Sequence, residues 1–173
     1  TQNAFDIAIE GPGFLRVMRP NGDIAFTRAG NLRTDSTGRL VTQRGELIDP
    51  PITVPPETSQ VTIKADGTVE ARLGGRAEPV PLGALELTLF VNPTGLESIG
   101  GNLLISTPAA GQMMQVRPGE MGAGGIAQGF LESSNVKAVE EMIDMITTQR
   151  AYELNSKVIQ SADQMLQKLT NLR

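Results

Sequence analysis

The stretch from Asn135 to Arg173 constrains this chain more than any other, because it reads as one uninterrupted helix. From Val136 onward it holds neither Gly nor Pro, whereas Gly119–Gly129 holds five Gly. Ser133, Ser134 and Asn135 offer side-chain oxygens to the first free N–H groups, with Asn135 the expected N-cap. Glu140 and Glu141 follow near the positive end of the helix dipole. At 1.5 Å per residue, a helix from Val136 to Leu172 is about 55 Å long, more than the diameter of a compact domain built from what remains. Such a length without internal caps points to a coiled coil or an intersubunit element.

The apolar face of this helix is the candidate interface. Val136, Val139, Ile143 and Ile146 follow 3-4-3 spacing, and Ala151, Asn155, Val158, Ala162, Met165, Leu169 and Leu172 follow 4-3-4-3-4-3. The two stripes are offset by one residue between Ile146 and Ala151. Met142, Tyr152, Ile159 and Leu166 widen the face beyond a two-residue seam. A face this wide implies more than one neighbouring helix, or a partner that crosses it. Arg150 and Tyr152 interrupt the aliphatic stripe with groups able to bond across an interface.

The preceding residues read as short strands. Phe5, Ile7 and Ile9 alternate with Asp6, Ala8 and Glu10, and Gly11-Pro12-Gly13 ends that strand. Asn21-Gly22 and Asp66-Gly67 signal two hairpins, the latter expected as a type I′ turn pairing Val61, Ile63 and Ala65 with Val69, Ala71 and Leu73. Ile24 and Phe26 share a strand face with Arg28, which places Arg28 beyond the core edge. Ala84–Val91 is the clearest strand, with Leu85, Leu87, Leu89 and Val91 on one face. Ile52–Val54, closed by Pro55-Pro56, reads as an edge strand or extended connector. The fold class expected is mainly β: an all-antiparallel β domain of short strands and hairpins over residues 1–132, then one long C-terminal α-helix over 133–173. With aromatics at 3% and no Trp, the core must be aliphatic.

Chemistry is sparse. There is no His and no Cys, which removes the commonest general base, thiolate chemistry and disulfides. Gly122-x-Gly124-x-x-Ala127 nominally matches a dinucleotide fingerprint, but no strand leads into it and no helix opens on it, so it reads as flexible linker. Glu140, Glu141 and Asp144 have no convergent ligand and read as a solvated acidic turn. No catalytic residue, cofactor or metal site is expected. A net charge of −4 and a pI near 4.9 argue against nucleic acid and anionic membranes as partners, and no apolar run is long enough to span a bilayer.

One resemblance covers nearly the whole chain. Leu131-Glu132-Ser133-Ser134-Asn135-Val136, Val139-x-Glu141-Met142-Ile143, Gln149-Arg150-Ala151-Tyr152-Glu153-x-Asn155-Ser156-Lys157 and Asp163-x-Met165-Leu166 resemble the C-terminal signature of the bacterial flagellar rod and hook family. Phe5-Asp6-Ile7-Ala8-Ile9-Glu10-Gly11-x-Gly13-Phe14, Phe26-Thr27-Arg28-x-Gly30 and Gly38-Arg39-Leu40-Val41 resemble the opening of that family's β domain. The short segment between the β halves is most similar to the distal rod branch, since hook proteins carry large extra domains there. The resemblance implies a self-assembling axial protein without enzymatic activity that transmits torque from motor to hook. It implies export by the flagellar type III apparatus without a cleaved signal, and a place in the periplasm-spanning rod of the basal body. Implied partners are other copies of itself, other flagellar rod proteins, the hook protein and the P and L ring proteins. The family also begins with an N-terminal helical segment and an Asn-rich motif that pair with the C-terminal helix. Nothing like them precedes Phe5, so the expectation is a fragment lacking them. Alternative readings are a proximal rod or hook-type subunit, or a periplasmic module docking one partner through its helix. An enzyme comes third and requires a polar pocket with convergent carboxylates.

Overall fold

A computed structural model describes residues 1–75, 78–133 and 138–170, and within the helix the side chains of residues 141–162, 164 and 165. The chain divides into two compact units, Thr1–Glu132 and Ser133–Arg173. Among the described residues the first is built from fourteen strands. They run β1 (Ile7–Glu10), β2 (Phe14–Met18), β3 (Ile24–Thr27), β4 (Leu32–Thr34), β5 (Leu40–Thr42), β6 (Leu47–Asp49) and β7 (Thr58–Ile63). Then come β8 (Thr68–Leu73), β9 (Val80–Ala84), β10 (Leu87–Phe90), β11 (Glu97–Gly100), β12 (Leu103–Ile105), β13 (Met113–Val116) and β14 (Gly125–Gln128). The second unit is α1 (Ala138–Thr170). The fold is mainly antiparallel β with one C-terminal helix, as the sequence pattern predicts.

The strands form three sheets. A nine-stranded sheet runs β11-β12-β3-β2-β6-β5-β4, with β10 joining the side of β2 and β13 pairing only with β10. A three-stranded sheet runs β7-β8-β9, and β1 and β14 make a two-stranded ribbon. One aliphatic core serves all three, with Ile7 and Ile126 from the ribbon, Leu15, Val17, Ile48 and Leu87 from the large sheet, and Val61 and Val69 from the small one. A second cluster is aromatic. Phe26 and Phe14 both meet the Phe90 ring edge-on, at 4.9 and 5.8 Å, with Ala110 buried against them.

Local turn chemistry explains why so many short strands pair with sequence neighbours. Four connections have the same pattern: Arg19–Gly22, Asp35–Gly38, Thr42–Gly45 and Lys64–Gly67. In each, the fourth-residue N–H bonds back to the first carbonyl, and the first N–H bonds to the carbonyl after the Gly. Gly22, Gly38, Gly45 and Gly67 sit at φ +87°, +82°, +93° and +82°. This is the three-residue hairpin, a type I turn followed by a left-handed Gly. Asp66-Gly67 is therefore not the type I′ turn expected, which requires positive φ at both residues, whereas only Gly67 has it. The predicted pairing survives in part, with Val61 opposite Ala71 and Ile63 opposite Val69, whereas Ala65 is exposed beyond the end of β7 and Leu73 lies opposite Thr58.

Two other expectations change. Ala84–Val91 is not one strand, because the chain crosses from β9 to β10 between the small and large sheets. Leu85 and Leu87 are fully buried, Leu89 is half-buried and Val91 is exposed. The Gly122–Ala127 stretch is not simply linker, since Gly125–Gln128 is β14 and pairs residue for residue with β1. Gly124 must be Gly, as a Cβ there lies 2.7 Å from the Glu10 carbonyl oxygen.

The Asp35 turn gives a pH prediction. Asp35 Oδ1 accepts from the Thr37 hydroxyl at 2.7 Å and from the N–H groups of Thr37 and Arg39 at 2.8 and 3.0 Å, and Oδ2 accepts from Arg39 Nε at 2.9 Å. The Thr37 hydroxyl above all, then these other donors, hold the carboxyl well below its ordinary value of 3.8 against the opposing effect of desolvation. A depressed folded value means the stabilisation is complete above the unfolded value and fades as pH falls towards the folded one. Thermal melts of wild type and Asp35→Asn should differ most near neutral pH and converge below pH 3.8. A difference that stays constant down to pH 2 would refute this.

Candidate assembly interface

The helix α1 carries the candidate residues. Met142, Ile143, Ile146, Arg150, Tyr152, Asn155, Val158, Ile159, Ala162 and Met165 are all exposed. Asn135 and Val136 lie outside the described residues. Val139, Leu166 and Leu169 fall within the helix, but their side chains lie outside those described. Exposure of 53% at Ile143, 66% at Val158 and 66% at Met165 is unusual for apolar side chains standing together. Between them, the Thr147 and Thr148 hydroxyls both donate to the Asp144 carbonyl.

Two large apolar residues missing from the expected stripe are equally exposed, Met145 at 62% and Leu154 at 63%. Leu154 changes the geometry. Ile143, Ile146, Arg150, Leu154 and Val158 step 3-4-4-4, and Ile143, Leu154 and Met165 are eleven residues apart. An eleven-residue repeat advances 3.67 residues per turn, so it stays on one face of a helix that is nearly straight or supercoils slightly to the right. The offset between the two heptad stripes is thus bridged by a single stripe in which Arg150 occupies one step. The usable signal was the spacing of Leu154 from Ile143 and Met165.

The β unit adds exposed apolar positions that the sequence pattern did not single out. Met18 lies opposite both Ile24 on β3 and Leu47 on β6, which makes a row across three strands. Met113 and Met114 stand exposed on β13, which pairs on one side only. Phe130 and Leu131 are exposed where the β unit ends. A groove of about 590 Å³ is lined by Thr34–Gly38, Val54–Pro56, Thr58–Val61, Ala4 and Phe5. Its one carboxylate, Asp35, is occupied by its own turn. Among the described residues no three potential metal-ligating side chains come together, and no helix is long and apolar enough to cross a membrane.

Comparison with known proteins accounts for an arrangement that displays apolar surface and little reactive chemistry. Residues 8–71 match the family model described as flagellar hook protein FlgE/F/G D1 domain, and residues 127–172 match flagellar basal body rod FlgEFG protein C-terminal. A flagellar basal-body rod protein FlgG of Bacillus subtilis (strain 168) is 35% identical over 178 residues, covering 100% of this chain and 67% of that protein. The chain belongs to the flagellar basal-body rod protein family. Flagellar basal-body rod proteins FlgG of Buchnera aphidicola subsp. Schizaphis graminum and of Caulobacter vibrioides are 47% and 45% identical. These matches cover 99% and 100% of this chain but 66% of each relative, so the chain spans just under two thirds of their length. The first family model lies wholly within the β unit, and the C-terminal one begins inside β14 and runs on through the helix.

Proposed function

We propose that this chain is a structural subunit of the flagellar distal rod, a self-assembling axial protein that carries torque from motor to hook and has no catalytic role. The observation that carries the reading is identity of 45–47% to rod proteins across both the β unit and the helix. The exposed stripe of α1 supports it, because a long apolar face is stable only once neighbouring helices cover it. In this reading the interface runs from Val136 to Leu169 on the helix, and the Met18–Ile24–Leu47 row and β13 add contacts between β units. The partners are further copies, other rod proteins, the hook protein and the P and L ring proteins. The location is the rod where it spans the periplasm, reached through the flagellar type III apparatus.

Electron cryotomography of cells lacking the gene tests this. The expected result is non-motile cells whose basal bodies stop short of the outer rings and carry no hook, with both restored on complementation. Full-length rods with hooks in the deletion strain would overturn the proposal. A hook-type subunit is the second reading, favoured by a D1 model that spans hook and rod members. It predicts complete rods that lack only the hook.

A further inference from the structure

The ribbon of β1 and β14 leads directly into residues 129–133. It shares the core and a few backbone bonds with its neighbours, such as Ile7 N–H to the Gly30 carbonyl and Ile126 N–H to the Ala65 carbonyl, and one multidentate side chain adds to these on the side of each of the other two sheets. Arg28 follows β3 at the end of the large sheet. Its Nη1 donates to the Gly11 and Gly13 carbonyls, both at 3.0 Å, and its Nη2 to the Ile9 carbonyl at 3.2 Å. Its Nε donates to Glu132 Oε2 at 2.9 Å, and its guanidinium lies 5.9 Å from the centre of the Phe14 ring. Four N–H groups of one fork thus meet the end of β1, the loop into β2 and the last residue of the β unit. Gln128, on β14, does the equivalent towards the small sheet. Its Oε1 accepts from the Ile63 N–H at 3.0 Å, and its Nε2 donates to the carbonyls of Val61 at 3.0 Å and Ala4 at 2.7 Å. A side-chain amide here stands in for a strand, bonding one N–H and one carbonyl on β7.

We infer that Arg28 and Gln128 are positioning residues that anchor the base of the helical arm, so that load entering at 129–132 passes into both sheets. Geometry supports assigning the role to these two rather than to packing in general. An ion pair between exposed groups contributes little by itself. Arg28 differs because the rigid guanidinium fork engages three carbonyls as well, which a Lys ammonium on a flexible stem does not reproduce. Arg28 also belongs to the Phe26-Thr27-Arg28-x-Gly30 motif, and anchoring gives that motif a purpose beyond the core. The inference builds on reading α1 as an assembly arm, but it concerns the isolated chain and is testable whether or not the chain assembles.

The chain has no Cys, so a single nitroxide on Ser133→Cys reports the arm base alone. Its spectrum should shift towards the fast, narrow component in Arg28→Gln and in Gln128→Ala, and by less in Arg28→Lys. A control nitroxide on Glu97→Cys in edge strand β11 should not change. Glu132→Ala removes only the exposed end of the network and leaves the core untouched, so it keeps the test valid should Arg28→Gln fail to fold. It should shift the Ser133 spectrum in the same direction. An unchanged Ser133 spectrum in Gln128→Ala and Glu132→Ala would overturn the inference. So would equal loosening at positions 133 and 97, which would show a general loss of packing.

Discussion

Ile143→Asp should abolish motility and incorporation into the basal body while leaving the β unit as stable as in wild type. Ile143 is 53% exposed in the chain by itself, so the substitution removes no contact that the β unit needs. In an assembled bundle the same side chain becomes buried, and the loss is large. Burying an Ile contributes about 1.5–3 kcal/mol, and a carboxylate in its place adds a desolvation cost of several kcal/mol. Since 1.4 kcal/mol is a factor of ten, even the lower figure moves the concentration needed for assembly more than tenfold. Leu169→Asp should act in the same way further along the stripe. Leu154→Asp separates two descriptions of the seam. It should be as severe as Ile143→Asp if the eleven-residue stripe is the contact face, and mild if the contact follows Ala151, Asn155 and Ala162. Motility plates, fractionated basal bodies and thermal melts of the purified chain read the three properties. Normal swimming by cells carrying Ile143→Asp would refute the interface.

How far the fold could be read from the sequence depended on whether the signal was local. Alternation placed β1 and β2 because each has one face in the core, whereas β3 is buried on both faces from Ala25 to Thr27, and the Asn21-Gly22 and Asp66-Gly67 hairpins followed from Gly at left-handed positions. What failed was alternation carried beyond the strand that generates it. Leu85 and Leu87 are both buried and Val91 is 79% exposed, because the segment serves two sheets. Arg28 failed for the same reason. β3 ends at Thr27, so the face shared by Ile24 and Phe26 no longer says where Arg28 goes, and its partners come from residues 9–13 and 132. The partner of β14 was not legible, because its pairing to β1 spans more than a hundred residues and leaves no periodic trace in a four-residue strand. The long helix was legible in outline because helical periodicity is local. Its seam can be drawn either as two heptad frames or as one longer repeat through Leu154, and the Leu154→Asp variant separates the two.

Gly30→Ala should have the opposite profile to Ile143→Asp, with loss of the β unit itself. Gly30 is buried, and its φ is not in the left-handed region, so the requirement for Gly is one of space alone. A Cβ there would sit 1.9 Å from the Ile7 carbonyl oxygen and 2.8 Å from both its carbon and its Cγ1. Two of those three atoms are backbone and cannot rotate away as a flexible side chain does. Ile7 is wholly buried, and its N–H donates to the Gly30 carbonyl at 2.9 Å. One methyl therefore forces apart the ribbon and the large sheet, breaks that bond and opens the shared core. Overpacking of this kind, with a buried N–H left unpaired, costs roughly 3 kcal/mol or more, a large part of the 5–15 kcal/mol that holds an ordinary domain folded. Gly22→Ala is the control. Gly22 has φ +87° and nothing within 4 Å of its Cβ position, so only conformational strain applies, about 1 kcal/mol. Urea unfolding followed by circular dichroism should rank Gly30→Ala well below Gly22→Ala. A Gly30→Ala midpoint within the range of Gly22→Ala would show that the ribbon and large sheet can separate without cost. That would also remove the physical basis for anchoring the arm through residues 28–30.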